Sequence, residues 1–280
     1  MDSPPQSSRS ILITGCSSGI GLCVARGLHA RGHRVFATAR RRRDVARLNA
    51  MGLESLVLDL DDDHSIRTAL AQVLERTGGR LFALFNNGAY GQPGALEDLD
   101  REALRAQFET NLFGWHELTR QVIPVMRRQG EGRIIQNSSV LGFAAMRMRG
   151  AYNASKFALE GLSDTLRLEL HGSGIHVCLI EPGPIESHFR ANAYLKWKQH
   201  VDAEHSVHRE AYRALEERLV KEGPAAPFTL PPEAVLKRVI HALESRHPRP
   251  RYPVTFPTYL FAALKRLLPT RALDRILRKV

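Results

Sequence analysis

Cysteine is scarce in this chain. Three residues (Cys16, Cys23 and Cys178) among 280 are too few and too scattered for a disulfide framework or a zinc site, so a reducing cytoplasm is the expected setting. Long apolar runs are missing as well. Nothing approaches the roughly 18 consecutive apolar residues needed to cross a bilayer, and the polar start MDSPPQSSRS leads into ILIT, too short for the hydrophobic region of a signal peptide. Aromatics make up 7% and form no stacking stripe, and no zinc-finger, RNP or basic-zipper pattern occurs, which argues against specific nucleic-acid recognition. Acidic residues are outnumbered, 29 against 40 lysines and arginines, for a formal charge of +11. Such an excess admits anionic membranes, nucleic acid or phosphorylated ligands and by itself selects none of them.

What is present is ordinary for a globular chain, with 43% hydrophobic and 25% charged residues and enough length for one large α/β domain or two small ones. Apolar runs alternate with helical patterns through the first two-thirds, the signature of βαβ units and a parallel sheet. The runs predict strands at 11–14, 34–39, 55–60, 81–86, 133–138 and 176–181, with a late seventh at 251–255. Helices are predicted at about 19–31, 42–51, 62–77, 99–129, 151–171 and 231–245. From Pro182 to about Pro232 the alternation stops, and an insertion after a late strand falls at the sheet edge where ligands usually sit. No internal repeat or domain linker is found.

TGCSSGIG, Thr14 to Gly21, follows the first strand and opens the first helix. In that setting Gly15 allows the tight turn, Gly19 lets backbone approach a pyrophosphate, and Gly21 permits close helix-to-strand packing, while helix N-terminal amides attract the anion. A dinucleotide site with Gly15, Ser17, Ser18, Gly19, Ile20 and Gly21 is the reading. The second strand ends ATARRRRD, with Ala39 where an acid would accept hydrogen bonds from the ribose hydroxyls of NAD, followed by Arg40 to Arg43. Four arginines near a helix N-terminus oppose its dipole. A 2′-phosphate would compensate, so NADP is favoured, with Arg40 as main contact and Ser18 as helper. Asp59 is placed for the adenine amino group and Leu60 for its ring.

In RGAYNASKFALEGLSDTLRLEL, residues 149–170, Ala158, Leu162, Leu166 and Leu170 recur every fourth position, predicting an amphipathic helix. Tyr152 and Lys156 are then neighbours. An ammonium about 5 Å from the phenol, at an effective dielectric of about 20, would favour the phenolate by roughly 3 kcal/mol, or about two pKa units.

With TGCSSGIG near the start, YNASK at 152–156, Ser139 before the tyrosine, Asn111 in ETNLFG, FNNGAY after the fourth strand and EPGPIES at 181–187, the chain resembles the short-chain dehydrogenase/reductase superfamily over nearly its whole length. It is most similar to bacterial NADP-dependent aldehyde and ketone reductases, themselves like hydroxysteroid and retinol dehydrogenases. The resemblance implies a single Rossmann-type doubly wound parallel sheet of about seven strands, with a core at 8–185, a substrate-binding insertion at 186–232 and a basic apolar tail at 256–280. It implies that Ser139 donates a hydrogen bond to the substrate carbonyl, that Tyr152 delivers the proton, that Lys156 holds the nicotinamide ribose and depresses the tyrosine, and that Asn111 positions a water beside Lys156. Asn87 and Gly88 would line the cofactor, and Pro182, Gly183 and Ile185 would cup the carboxamide. This chain departs from the family pattern in reading Asn86-Asn87-Gly88-Ala89, with the glycine moved by one position.

Phe189, Tyr194 and Trp197 suggest an apolar pocket, with Phe143, Met146 and Met148 as the opposite wall, or else ordinary packing. HSVH at 205–208 reads as a solvated helix face, not a metal site. The apolar and basic C-terminal segment could lie on an anionic membrane or, as the larger share, pack in a homodimer or homotetramer. The expected function is hydride transfer between NADP(H) and a hydrophobic aldehyde or ketone. Rival readings are an NAD-linked hydroxysteroid or secondary-alcohol dehydrogenase, a non-catalytic NADP sensor, and a basic nucleic-acid or membrane scaffold.

Overall fold

Successive side chains of the first strand, β1 (Ser10–Ile13), point to opposite faces of the sheet, and both faces are covered. Ile11 and Ile13 join one buried cluster and Leu12 another. The computed structural model describes residues 9–279, and among these β1 is followed by β2 (Arg34–Ala39), β3 (Glu54–Val57), β4 (Ala83–Asn86), β5 (Gly132–Asn137), β6 (Ile175–Glu181) and β7 (Arg251–Pro253). All pairings are parallel, in the order β3-β2-β1-β4-β5-β6-β7. The first face is covered by α1 (Gly19–Ala30), α2 (Arg42–Ala50) and α9 (Glu233–Glu244), which bury Val24, Leu28, Leu48, Val235 and Val239. The second is covered by α3 (Asp63–Arg76), α5 (Gly114–Gln129) and α6 (Gly150–Glu169), through Ile66, Val73, Trp115, Leu118 and Leu159. The result is one doubly wound α/β domain.

Chain direction reverses its march across the sheet between β1 and β4, opening a crevice at their carboxyl ends. Thr14 ties the two ends together: its hydroxyl accepts from the amides of Asn87 (2.8 Å) and Gly88 (2.9 Å). The helix expected over 99–129 is a single path interrupted by a π turn at Glu109–Phe113, between α4 (Arg101–Phe108) and α5. The last strand stops at Pro253, which has no amide to donate, where 251–255 was expected. The expected insertion carries α7 (Phe189–His200) and α8 (Arg209–Val220).

Two helices form the C-terminal segment, α10 (Phe256–Leu267) and α11 (Thr270–Leu277). Their apolar side chains Phe261, Leu264, Ile276 and Leu277 pack on Val140, Leu141 and Met146 of the same chain. Contact with its own core is thus an arrangement that the sequence reading, which weighed only membrane and neighbouring subunit, did not foresee. Among the described residues no helix is long and apolar enough to cross a membrane.

Helix α6 corrects one expectation. Of the fourfold series, Leu170 is buried but Leu162 is 44% exposed. The side that meets the sheet is Ala151, Ser155, Lys156, Leu159, Glu160 and Ser163. Ala158 and Leu166 of the series still pack against the core beside Leu170, so the count of apolar positions finds one edge of the buried side and misses its polar part.

Candidate active site

The candidate cofactor-binding residues follow the carboxyl ends of the strands, Gly15 to Gly21 after β1, Arg40 after β2, Asp59 after β3, Asn87 after β4 and Pro182 after β6, with Ser139 after β5. The glycine turn leaves β1 with Gly15 at φ +71° and Gly19 at φ +55°, the left-handed region that glycine adopts without strain. A Cβ on Gly15 would stand 2.5 Å from the Gly88 α-carbon, and one on Gly21 would overlap the Gly15 carbonyl, so the turn is pressed against both its own helix and the loop after β4. Ser18 precedes α1 in an extended conformation and its side chain does not cap the helix, and no acidic residue lies in the first turn. The first amides of α1, around Ile20, are therefore left for an anion. The carbonyl of Ser17 accepts a hydrogen bond from Arg47.

Arg40 lies exposed just beyond β2, as do Arg41, Arg42 and Arg43 at the start of α2. Asp59 and Leu60 follow β3. Leu60 is buried, and its Cδ1 would be 3.1 Å from a Cβ on Gly88. Asp59 accepts from the Asp61 amide at 3.2 Å. The loop after β6 bears Pro182, Gly183 and Ile185: the Pro182 carbonyl accepts from the Val140 amide (2.8 Å), Ile185 bridges to Leu230, and a Cβ on Gly183 would overlap Thr255 Oγ1. This loop crosses toward the glycine turn, where a Cβ on Gly19 would be 3.0 Å from Ser187 Cβ. The glycine cradle, the uncapped α1 and the flanking loops fit a dinucleotide.

A hydrogen-bonded chain runs from that turn to Lys156. Asn87 Nδ2 donates to the Thr14 carbonyl (3.0 Å), Asn137 Nδ2 donates to Asn87 Oδ1 (2.9 Å), and Lys156 Nζ donates to the Asn137 carbonyl (2.8 Å). Lys156 is buried, with Nζ 4.2 Å from the centre of the Trp115 ring and 5.7 Å from that of Tyr152. Burial lowers its pKa to about 7, while Glu160 one turn along α6 raises it. Trp115 carries no sequence motif; its indole Nε1 donates to the Gly88 carbonyl at 2.7 Å, which holds the ring flat beneath the ammonium. Replacing Trp115 by leucine removes a desolvated cation–π contact worth about 2 kcal/mol. If Lys156 holds the nicotinamide cofactor through its charge, the pH at which that binding weakens should move lower, measured by cofactor titration between about pH 6 and 8.

Tyr152 and Ser139 are brought together. The serine hydroxyl accepts from the Leu141 amide (3.1 Å) and lies beside the phenol. The electrostatics reverse the sequence expectation. Burial pushes the Tyr152 phenol up to about 12; Ser139 and Arg149 oppose this, and Lys156 is not among the groups that lower it. A partly neutral lysine that donates its hydrogen bond to a carbonyl oxygen and rests on a tryptophan is poorly placed to stabilise a phenolate. Asn111, fully buried in the π turn, has its side chain engaged: Nδ2 donates to the Tyr90 carbonyl (2.9 Å) and Ser155 Oγ (3.4 Å), and Oδ1 accepts from the Tyr90 amide (3.2 Å).

Phe189 stands edge-on to Tyr152, with centroids 5.4 Å apart, and Phe143, Met146 and Tyr152 all pack against one buried cluster of Val140, Leu141, Ala144 and Phe261. Tyr194, Trp197 and Met148 do not line this space. They pack around Tyr212 and Ala95 in a separate cluster, where Tyr212 donates to Asp98 at 2.6 Å. His205 and His208 sit in the turn before α8, not on a helix face, beside Asp202 and Glu97 respectively. Among the described residues no cluster with metal-binding composition occurs.

Residues 9–197 match the short chain dehydrogenase family. The chain belongs to that family. The dehydrogenase is 44% identical over 270 residues to the uncharacterized oxidoreductase YbbO of Escherichia coli (strain K12), an alignment covering 96% of this chain and 94% of that one. It is 31% identical over 280 residues to the NADPH-dependent 3-dehydrocapnine reductase of Ornithobacterium rhinotracheale, covering 97% and 96%. Among solved structures, a short-chain dehydrogenase from Streptomyces avermitilis superposes with a TM-score of 0.75 at 29% identity, covering 98% of this chain and 95% of the other. The dehydrogenase is accordingly an oxidoreductase that uses a nicotinamide cofactor.

Proposed function

We propose that the protein is an NADP-dependent reductase of hydrophobic aldehydes or ketones. The observation that carries the cofactor choice is the end of β2, where Ala39 is buried, no acid occurs before Asp44, and Arg40 leads four consecutive exposed arginines. Guanidinium groups match a 2′-phosphate and offer nothing special to a bare ribose. The name of the Ornithobacterium relative, an NADPH-dependent reductase, agrees.

When bound, the nicotinamide supplies the hydride. Ser139 would donate to the carbonyl oxygen as negative charge grows there. Tyr152, protonated at neutral pH because burial holds its pKa high, would give that oxygen its proton, which suits the reductive direction. Lys156 would hold the ribose hydroxyls, and a water placed by the π turn around Asn111 would return protons to the site. Phe189, edge-on to Tyr152, with Phe143 and Met146 from the adjoining cluster, would give the substrate side an apolar lining, and 186–232 would be the part that closes it. A homo-oligomer belongs to the same reading, supported by the exposed Phe157, Leu162 and Leu168 along α6.

The test is oxidation of NADPH and of NADH against a panel of aldehydes, ketones and steroids. NADPH should be preferred, and Arg40→Asp should reduce that preference by about 10- to 100-fold, the effect of one charge-assisted hydrogen bond of roughly 1.5–3 kcal/mol. An unchanged preference in the variant would dispose of the phosphate assignment.

A further inference from the structure

Helix α10 carries a second apolar side, turned to solvent. Its inward side packs through Phe261 and Leu264 on Val140 and Leu141. At about 3.6 residues per turn, Phe256, Tyr259, Leu260, Ala263 and Leu267 fall within about 100° on the other side, a stripe roughly 16 Å long. All five are exposed, Phe256 at 56% and Leu267 at 78%. Phe228, from the loop before α9, lengthens the stripe. Its ring centre is 4.9 Å from that of Phe256, and it is exposed while holding φ +57°, a backbone unfavourable to an aromatic residue. Five of the sixteen large apolar side chains exposed among the described residues thus belong to this one stripe.

The charge beside the stripe is of one sign. From Phe256 to Lys279 there are six basic residues (Lys265, Arg266, Arg271, Arg275, Arg278 and Lys279) and one acid, Asp274, all of them exposed. Among the described residues none of the six is in an ion pair. Arg238 of α9 adds a guanidinium at the edge, donating to the Tyr259 hydroxyl at 3.3 Å. A second copy meeting this face across a two-fold axis would set like charges against each other. The stripe is also far smaller than the roughly 20–30 residues a side of a stable interface. An anionic bilayer matches both features, since aromatic and aliphatic side chains enter the headgroup boundary while lysines and arginines meet the lipid phosphates.

We infer that α10 docks the protein on membranes rich in anionic phospholipid, with Phe228, Phe256, Tyr259, Leu260 and Leu267 entering the bilayer surface and the basic residues of α10 and α11 at the headgroups. This docking stands apart from the reductase reading and does not need it. Because the inward side of the same helix rests on Val140 and Leu141, which follow Ser139, docking would bring the candidate active site close to the bilayer.

The test is co-sedimentation of the full chain with vesicles of equal parts phosphatidylglycerol and phosphatidylcholine. Binding should exceed that to phosphatidylcholine alone by about tenfold or more. It should weaken when salt rises from about 0.1 to about 1 M, which shortens the screening length from about 10 to about 3 Å. Leu260→Gln together with Leu267→Gln should lower partitioning to the mixed vesicles about tenfold with the melting temperature unchanged, because both side chains already face water. Val207→Gln, exposed in the turn before α8, should leave it alone. Arg271→Gln and Arg275→Gln should each lower it about fivefold. In Leu267→Trp the new indole should shift its emission to the blue on binding and be quenched by brominated lipid. No binding, equal binding to neutral and mixed vesicles, or binding that the leucine pair leaves unchanged overturns the proposal. If the leucine pair alters the oligomeric state without lipid, the stripe is a subunit contact and the proposal falls.

Discussion

Tyr152→Phe is expected to lower NADPH-dependent carbonyl reduction by about a thousandfold, within the range that a positioned general acid contributes, while NADPH still quenches protein fluorescence. The variant keeps the ring, and with it the edge-on contact to Phe189 and the packing against the cluster of Val140, Leu141 and Phe261, so a loss reports the hydroxyl alone. Ser139 remains to polarise the carbonyl, and Ser139→Ala should cost less, about a hundredfold. The pH dependence separates the two ionisable partners. A phenol near 12 stays protonated across the neutral range and imposes no break there. Lys156, near 7, is an ammonium below that pH and a free amine above it, so binding that depends on its charge should weaken as pH rises through 7. Turnover within tenfold of the unaltered enzyme in Tyr152→Phe would place the proton donor elsewhere.

Much of this arrangement is legible in the sequence because it lies in the main chain. The turn Thr14 to Gly21 is shaped by three glycines whose lack of a side chain allows its close contacts, and β2, almost wholly buried, keeps the predicted bounds at Arg34–Ala39. The positions of Ser139, Tyr152 and Lys156 follow from strand ends and one helix register. What the sequence conceals is the medium around them. That Lys156 loses water on all sides, rests on Trp115 and stands one turn from Glu160 depends on α5, β5 and α6 meeting, contacts far apart in the chain. An i,i+4 spacing gives the distance between a phenol and an amine but not the dielectric, and burial here reverses the sign of the expected shift. Aromatic content misleads similarly: Trp197 and Tyr194 look like pocket residues, yet α7 turns them toward Tyr212.

A second large effect is expected behind the lysine, where Arg251 serves three carboxylates. From β7 its guanidinium reaches Glu160, Glu181 (2.7 Å) and Asp164 (2.8 Å), and Glu160 also accepts from Ser138, the neighbour of Ser139. The side chains of Glu160 and Glu181 are only 9% and 5% exposed. Arg251→Met would strand both in the interior, a change that costs about 3–5 kcal/mol when one partner of a buried ion pair is removed. In a chain of this size that lowers the melting temperature by roughly 10 °C. The cost should depend on pH in a definite direction. Burial and the charge of Glu160 already raise Glu181 to about 7, above its ordinary carboxylate value, so folding favours its protonated form. Stability from this group is full below the unfolded pKa and is lost as pH rises through 7. Without Arg251 both carboxylates are driven further toward protonation, so the deficit should be small at about pH 5 and largest at about pH 8. Thermal melts of both proteins at the two pH values measure it, and an equal deficit at each would mean that Arg251 holds β7 by packing and not by charge.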